Sequence, residues 1–348
     1  MMDVGCDGPL MINLTVTSRC NLKCVMCDHA VVAVKKEDVS DTVIEKMAGH
    51  LQGAGSIDLT GLGEPLLSPQ FWKILDLFPV SEDSSTDEFK IYFNSNGTLF
   101  NEVNIDRILK SGVKKIMVSV DSGDAAMNFA LRGIRLQKVV SDTKNFIRRR
   151  NAMGRTLPKI GLATTLMKAN LKTAGAVIDL CEQMSADFVE MWSLNEIPRE
   201  RAAQWSVGLF NYDEQMLSHL DRDQVMLEID HLHWYAQTKS VPLMTMVLGT
   251  ARWEGGFPAD DWGRGTEIAW KDGSIRCPLP WQEQRVHYAG DTYACCWGAA
   301  PIGNIQNSSA EDLWRGEAMT DLRQSLIDGR VHNHCAGAGC PYLLGRTE

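Results

Sequence analysis

The apolar positions of this chain follow two periods over its first 190 residues. Short runs of strand length, at 11–16, 56–60, 89–94, 115–120, 159–166 and 187–192, are separated by stretches in which apolar residues recur every three or four positions. The intervening pattern predicts helices over 39–51 (with Asp38 as its cap), 69–78, 103–111, about 136–153 and 171–184. Residues 81–88 are polar and predict an exposed loop. Strands alternating with helices predict an α/β fold with a parallel sheet, because parallel neighbours need crossover connections. Six such units can close part of a barrel.

After Ser193 the pattern changes. A helical stretch over 213–238 is followed by Gly- and Trp-rich loops such as 252–265, and the acidic, Trp-rich stretch 250–270 is a candidate pocket wall. From Cys277 onward the chain is rich in Cys, Gly and Pro, with few long periodic segments, so a metal centre would serve as its staple. The expected division is a barrel domain over 1–240, a bridging segment over 241–276 and a small Cys-rich domain over 277–348.

Composition narrows the function. The 348 residues are 44% apolar and 23% charged, ordinary values for a globular chain long enough for two domains. The net charge of −9 argues against nucleic-acid binding, which calls for a basic footprint. No apolar run reaches the roughly 18–20 residues of a membrane span, and the N-terminus lacks the basic and apolar regions of a secretory signal. A cytoplasmic location is therefore expected, where thiols stay reduced and ten cysteines suit metal binding better than disulfides. Cys20, Cys24 and Cys27 fall within eight residues, and Cys277, Cys295, Cys296, Cys335 and Cys340 gather near the end.

The segment Thr17-Ser18-Arg19-Cys20-Asn21-Leu22-Lys23-Cys24-Val25-Met26-Cys27 carries the strongest chemical pattern. Three soft thiolates with three and then two intervening residues can hold three corners of a [4Fe–4S] cluster and leave one iron open. Zinc completed by His29 or Asp28 is the alternative that spacing allows. The loop follows the first strand, and in barrels chemistry gathers at the carboxyl ends of strands. Here the sequence resembles the radical S-adenosylmethionine (SAM) superfamily. The resemblance implies a partial (β/α)6 TIM-like barrel in which Cys20, Cys24 and Cys27 ligate three irons and SAM chelates the fourth. Met26, at a position often aromatic in that family, is expected to contact adenine through its backbone.

Other strand ends resemble further motifs of the family. Gly61, Gly63 and Glu64 in Thr60-Gly61-Leu62-Gly63-Glu64-Pro65 are implied to surround the SAM ammonium. Asn94 and Asn96 end the third strand near the cofactor, and Ser119 and Asp121 end the fourth toward the ribose or methionine. Arg132 is expected to pair with the SAM carboxylate. Thr165 and Trp192, at the fifth and sixth strand ends, are candidates to face adenine or substrate.

Cys277, Gly290 four residues short of Cys295, Gly303-Asn304-Ile305 and Asp312-Leu313-Trp314 resemble the SPASM/twitch extension of radical SAM enzymes. That resemblance implies a second, auxiliary [4Fe–4S] cluster held by Cys277, Cys295, Cys335 and Cys340, with zinc on the same four cysteines as the alternative. Cys296 is a spare ligand or hydrogen-atom donor, and Cys181 is a core thiol and a weak catalytic candidate. His332 and His334 flank the last cysteines and are expected beside the cluster or at the surface.

The implied reaction opens with reductive cleavage of SAM to a 5′-deoxyadenosyl radical, which takes a hydrogen atom from substrate. With an auxiliary cluster as electron acceptor, the expectation is dehydrogenation of a small carbohydrate- or cyclitol-like alcohol. The alternatives are peptide epimerisation or crosslinking, and sugar epimerisation or decarboxylation. A first strand at residue 11 leaves no preceding peptide-recognition domain, which leans toward the small molecule. Expected partners are that substrate and an electron donor such as flavodoxin or ferredoxin, with neither nucleic acid nor membrane.

Overall fold

The computed structural model describes residues 8–78, 90–254, 268, 271–335, 340 and 343. The chain runs β1 (Met11–Leu14), α1 (Asp41–Gly53), β2 (Ser56–Asp58), α2 (Pro69–Asp76), β3 (Lys90–Ser95), α3 (Glu102–Leu109), β4 (Val113–Ser119), α4 (Ala125–Arg132), α5 (Leu136–Ala152), β5 (Lys159–Leu166), α6 (Gly175–Met184) and β6 (Phe188–Ser193). It continues with α7 (Arg199–Gln204), β7 (Ser206–Val207), β8 (Phe210–Asn211), α8 (Tyr212–Gln215), α9 (Arg222–Thr238), β9 (Leu243–Val247) and β10 (Thr250–Glu254). The last elements are β11 (Glu283–Val286), β12 (Asp291–Tyr293), β13 (Gly303–Asn304), α10 (Ala310–Arg315) and α11 (Glu317–Ile327). The expected α/β class with parallel strands is the class observed.

Two compact units divide the chain. The first comprises Met1–Arg19, Lys36–Tyr92 and Asp260–Glu348, and the second Cys20–Lys35 with Phe93–Ala259. In the first unit the strand order is β3-β2-β1-β11-β12-β13, with β1 parallel to both β2 and β11. One face of this sheet is apolar: Ile12, Leu14, Ile57, Ile91 and Val286 are buried, as are Val43 and Met47 of α1 and Phe71 and Ile74 of α2. The C-terminal stretch is more regular than its composition suggests. Trp281, Trp314, Met319 and Leu322 form a core with Cys277, Cys295 and Cys340.

In the second unit β4, β5, β6 and β9 run parallel in that order, and β10 turns back on β9. β4 is buried almost throughout, as a strand covered on both faces must be. Segment 199–217 folds into α7, the β7–β8 hairpin and α8, and packs Trp205, Phe210, Tyr212 and Met216 into an apolar cluster that also takes in Val25 and Met26.

Several boundaries differ from the sequence pattern for local reasons. α1 is capped by Ser40, whose side chain accepts the Val43 N–H, rather than by Asp38, which pairs with Arg19 instead. Two helices, not one, separate β4 from β5, because Gly133 takes a left-handed φ of 71° and ends α4. The helix expected over 213–238 starts at Arg222, where Asp221 caps it. Strands β9 to β13 were not expected from the pattern, since none of them sits in a regular alternation of strand and amphipathic helix. The expected loop over 81–88 and the greater part of 250–270 lie outside the described residues, as does Cys6. Among the described residues no helix is long and apolar enough to cross a membrane.

Candidate functional site

The second unit holds the three-cysteine loop. Cys20 Sγ lies 4.0 Å from Asn96 Nδ2, which also donates to Asn21 Oδ1 at 2.8 Å, while Asn21 Nδ2 donates to Thr98 at 2.8 Å. The Asn-rich end of β3 therefore grips the start of the loop. Its middle is pinned by Val25 N–H donating to the Leu131 carbonyl (2.9 Å) and by Trp205 Nε1–H donating to the Val25 carbonyl (2.9 Å). Asp28, just past Cys27, pairs with Arg201 at 2.5 Å. Sequence reasoning missed Trp205 and Arg201; their distance of some 180 positions from the loop left no local pattern to find.

Cys24 lies against the end of α4, its thiol 3.8 Å from the Arg132 carbonyl oxygen. The Arg132 side chain is 11% exposed and its Nε sits 2.7 Å from Oδ2 of the fully buried Asp121. Asp121 Oδ1 accepts the Thr165 N–H at 2.8 Å, and Asn170 Nδ2 donates to the Asp121 carbonyl. The ends of β4 and β5 and the end of α4 thus converge beside the loop. Thr165 pairs in register with Trp192 on β6, so both of these candidates sit at the same sheet edge. Ser119 ends β4, and Asn94 lies near the end of β3.

Burial raises the Cys24 thiol to about 11, although the Arg132 charge pulls the other way. The Cys27 thiol is raised for the same reason, against a hydrogen bond from the His29 backbone. Such thiols hold their protons at neutral pH until a metal displaces them. Soft donors grouped beside a fixed cation suit an anionic iron–sulfur cluster.

In the first unit the glycines of the second strand's loop abut the chain leading into the cysteines. A Cβ on Gly63 would lie 2.4 Å from the Arg19 carbonyl oxygen and 2.7 Å from that of Thr17; one on Gly61 would lie 2.5 Å from Thr15 Cγ2. Gly63 N–H donates to Thr17 and Glu64 N–H to Arg19, at 3.0 and 2.8 Å. Only glycine permits this approach. Glu64 is buried and caps the turn at Leu66.

The other face of the first unit's sheet is polar. Tyr92, Asp58, Asn13, Arg285 and Tyr293 stand in one cross-strand row on five neighbouring strands. Asn13 Nδ2 donates to Asp58 at 2.7 Å, while its Oδ1 is buried without a partner. Glu283 shares this face at 1% exposure, and burial raises its carboxyl to about 8 against the pull of Arg285. The signal was present in the alternation Ile12/Asn13, Ile57/Asp58 and Ile91/Tyr92, since a parallel strand covered by apolar groups on both faces would read as a continuous apolar run.

The C-terminal thiols also gather in the first unit. Burial raises Cys277 to about 12 and Cys335 to about 11, and Cys295 well above its ordinary value. Cys277 feels the charges of Cys340 and Cys335, and Cys295 feels those of Cys277 and Cys335. Cys296 is influenced instead by Glu283, Cys295 and Arg285, and Arg285 Nη1 donates to its carbonyl at 2.8 Å. Among the described residues no three His, Cys, Asp or Glu side chains converge as ligands of a single ion would. Cys181 is buried in α6 with its thiol against the carbonyls of Ala186 and Phe188.

Residues 14–154 match the model of the radical SAM superfamily, and residues 277–341 that of SPASM, an iron–sulfur cluster-binding domain. The chain thus carries a radical SAM domain and a SPASM domain together. The pairing implies [4Fe–4S] clusters and SAM as cofactors. A tungsten-containing aldehyde ferredoxin oxidoreductase cofactor-modifying protein of Pyrococcus furiosus is 25% identical over 46% of this chain and 44% of its own. The mycofactocin maturase MftC of Mycobacterium ulcerans is 26% identical over 37% of this chain and 34% of its own. The chain thus spans less than half the length of these curated relatives. Streptococcus suis SuiB bound to precursor peptide SuiA superposes with a TM-score of 0.62 at 14% identity, covering 91% of this chain and 67% of that one. This likeness shows the fold, the partial barrel with its C-terminal extension. The expected oxidation of a sugar or cyclitol finds no support among these relatives.

Proposed function

We propose that this chain is an enzyme that modifies a peptide, taking a hydrogen atom from one of its residues. The observation that carries the reading is the pairing, in one chain, of a three-cysteine loop after β1 with a second, buried cysteine group beyond Cys277. Two relatives support the peptide: one is a maturase by name, and one solved structure of the same fold holds a precursor peptide. Epimerisation and crosslinking are the outcomes that fit such a substrate.

In this reading Cys20, Cys24 and Cys27 hold three irons of the SAM-cleaving cluster, and Cys277, Cys295, Cys335 and Cys340 hold the auxiliary one. When bound, these cofactors supply a 5′-deoxyadenosyl radical and a place for an electron. Gly61, Gly63 and Glu64 bring backbone groups to the SAM ammonium, and Met26 brings its backbone to the adenine. Asn94, Asn96, Ser119, Thr165 and Trp192 line the cofactor from their strand ends. Arg132, held by Asp121 through its Nε, keeps a positive charge beside the cluster thiolates and pairs with the SAM carboxylate. Asn13 Oδ1 and the Arg285 guanidinium bind amide groups of the peptide. Residues 1–240 make the radical-generating part, 241–276 the bridge and 277–348 the auxiliary part, with a flavodoxin or ferredoxin supplying electrons.

The test compares stimulation of 5′-deoxyadenosine formation by a pool of random peptides and by a pool of sugars and cyclitols. Stimulation by peptides, with a mass or stereochemical change in them, is expected. Stimulation by the polyols alone would restore the alcohol reading.

A further inference from the structure

Among the described residues the thiols outside the two cysteine groups are Cys181 and Cys296. Cys181 is fully buried in α6 against backbone carbonyls, where no substrate can meet it. Cys296 is only partly buried. It stands apart from the C-terminal core that takes in Cys277, Cys295, Cys335 and Cys340. Two side chains of β11 hold its backbone. The Glu283 carboxyl takes a hydrogen bond from the Cys296 backbone, and Arg285 Nη1 donates to the Cys296 carbonyl at 2.8 Å. Glu283 and Arg285 lie two residues apart on the strand, so both stand on the polar face of the sheet. Asn13, the register partner of Arg285, shares that face. Asn13 Oδ1 and Glu283 Oε2 are buried there without partners, on residues 8% and 1% exposed. Buried polar atoms are ordinarily satisfied, and two orphans on one face mark a place that a polar ligand completes. Cys296 is therefore a thiol outside the ligand set, fixed by its backbone beside a surface made to receive such a ligand.

We propose that Cys296 is the hydrogen-atom donor of the reaction, and that the product is a peptide with one residue inverted at Cα. The inference rests on reading the substrate as a peptide and chooses epimerisation over crosslinking. Once a hydrogen atom has left Cα, the Cys296 S–H bond breaks homolytically and a new C–H bond forms on the opposite face of that carbon. The thiyl radical left on sulfur takes one electron from the flavodoxin- or ferredoxin-type donor and one proton from water, which restores the thiol. Crosslinking spends the carbon radical on another bond and needs no such donor. A thiol held at both its backbone N–H and its carbonyl is placed for a transfer that depends on contact.

The test incubates the reconstituted full chain with a pool of random peptides in D2O, where the Cys296 thiol exchanges its hydrogen for deuterium. D-amino acids carrying deuterium at Cα are expected in the peptide hydrolysate. They should disappear in Cys296→Ala and in Cys296→Ser, which keeps the size of the side chain but does not release its hydrogen atom. Freeze-quench EPR of the variants should then trap a carbon-centred radical on peptide, a signal that damage to the fold would not produce. Both variants should keep about eight irons, since Cys296 lies outside the ligand set. Inversion without deuterium, or inversion that survives in the variants, overturns the proposal. A loss of inversion without the radical signal also overturns it, leaving Cys296 a structural role. Iron falling to about four in the variants makes Cys296 a ligand and overturns it as well. Crosslinked peptide from the unchanged chain defeats the inference while the peptide reading stands. If no peptide is altered, the peptide reading itself fails, and the inference with it.

Discussion

Arg132 places its Nε 2.7 Å from a carboxylate oxygen of Asp121, while its own backbone carbonyl meets the Cys24 thiol at 3.8 Å. One residue thereby links a buried ion pair to the cluster loop. Removing one partner of such a pair leaves an uncompensated buried charge, which costs about 3–5 kcal/mol. Asp121→Asn and Arg132→Gln should each lose stability on that scale by chemical denaturation. The double variant should lose less than the sum. Full additivity would show that the pair is not coupled.

Gly63→Ala drives a methyl into the carbonyls of Arg19 and Thr17, immediately before Cys20. Backbone cannot yield as a side chain does, so a loss of about 1–3 kcal/mol is expected. Iron bound at the first cluster should fall with it. Gly61→Ala meets a threonine methyl first and should be milder. Equal effects on melting temperature and iron content would refute this account of the two glycines.

Glu283 makes stability depend on pH. Its carboxyl keeps a proton in the fold up to about pH 8, whereas an ordinary glutamate releases it near 4.5. The folded state binds the proton more tightly, so this contribution is complete below about pH 4.5. It is lost progressively as pH rises to about 8. Glu283→Gln should therefore gain in melting temperature relative to the parent at pH 8 compared with pH 5. Parallel curves across that range would remove Glu283 as the cause.

Trp205→Phe keeps most of the apolar bulk beside Val25 and Met26 but deletes the N–H that holds the Val25 carbonyl. One such hydrogen bond contributes about 0.5–1.5 kcal/mol. Iron should leave the three-cysteine loop roughly 2- to 10-fold faster under a chelator. An unchanged rate would mean that the indole only fills space.

The alternation of strand and helix was legible because each of the first six strands is an apolar run beside an amphipathic helix; β5 begins and ends where the pattern puts it. The cysteine loop was legible from spacing. What the sequence hid depends on distant partners. The ion pair of Arg132 with Asp121 could not be read from the sequence, because the end of β4 and the end of α4 come together only in the fold. β11 is four residues with no marked pattern, and β1 alongside gives it its place. The burial of His334 was hidden because Ala300 and Gly298, which enclose its ring, lie more than thirty positions away in sequence.

The most direct measurement is iron and sulfide in anaerobically reconstituted protein, together with 5′-deoxyadenosine formed from SAM, in the unchanged chain and in the Cys20/Cys24/Cys27→Ala variant. The account predicts about eight irons falling to about four, with SAM cleavage abolished. A variant that keeps about eight irons, or still cleaves SAM, would contradict the assignment of the radical-generating cluster to these three cysteines.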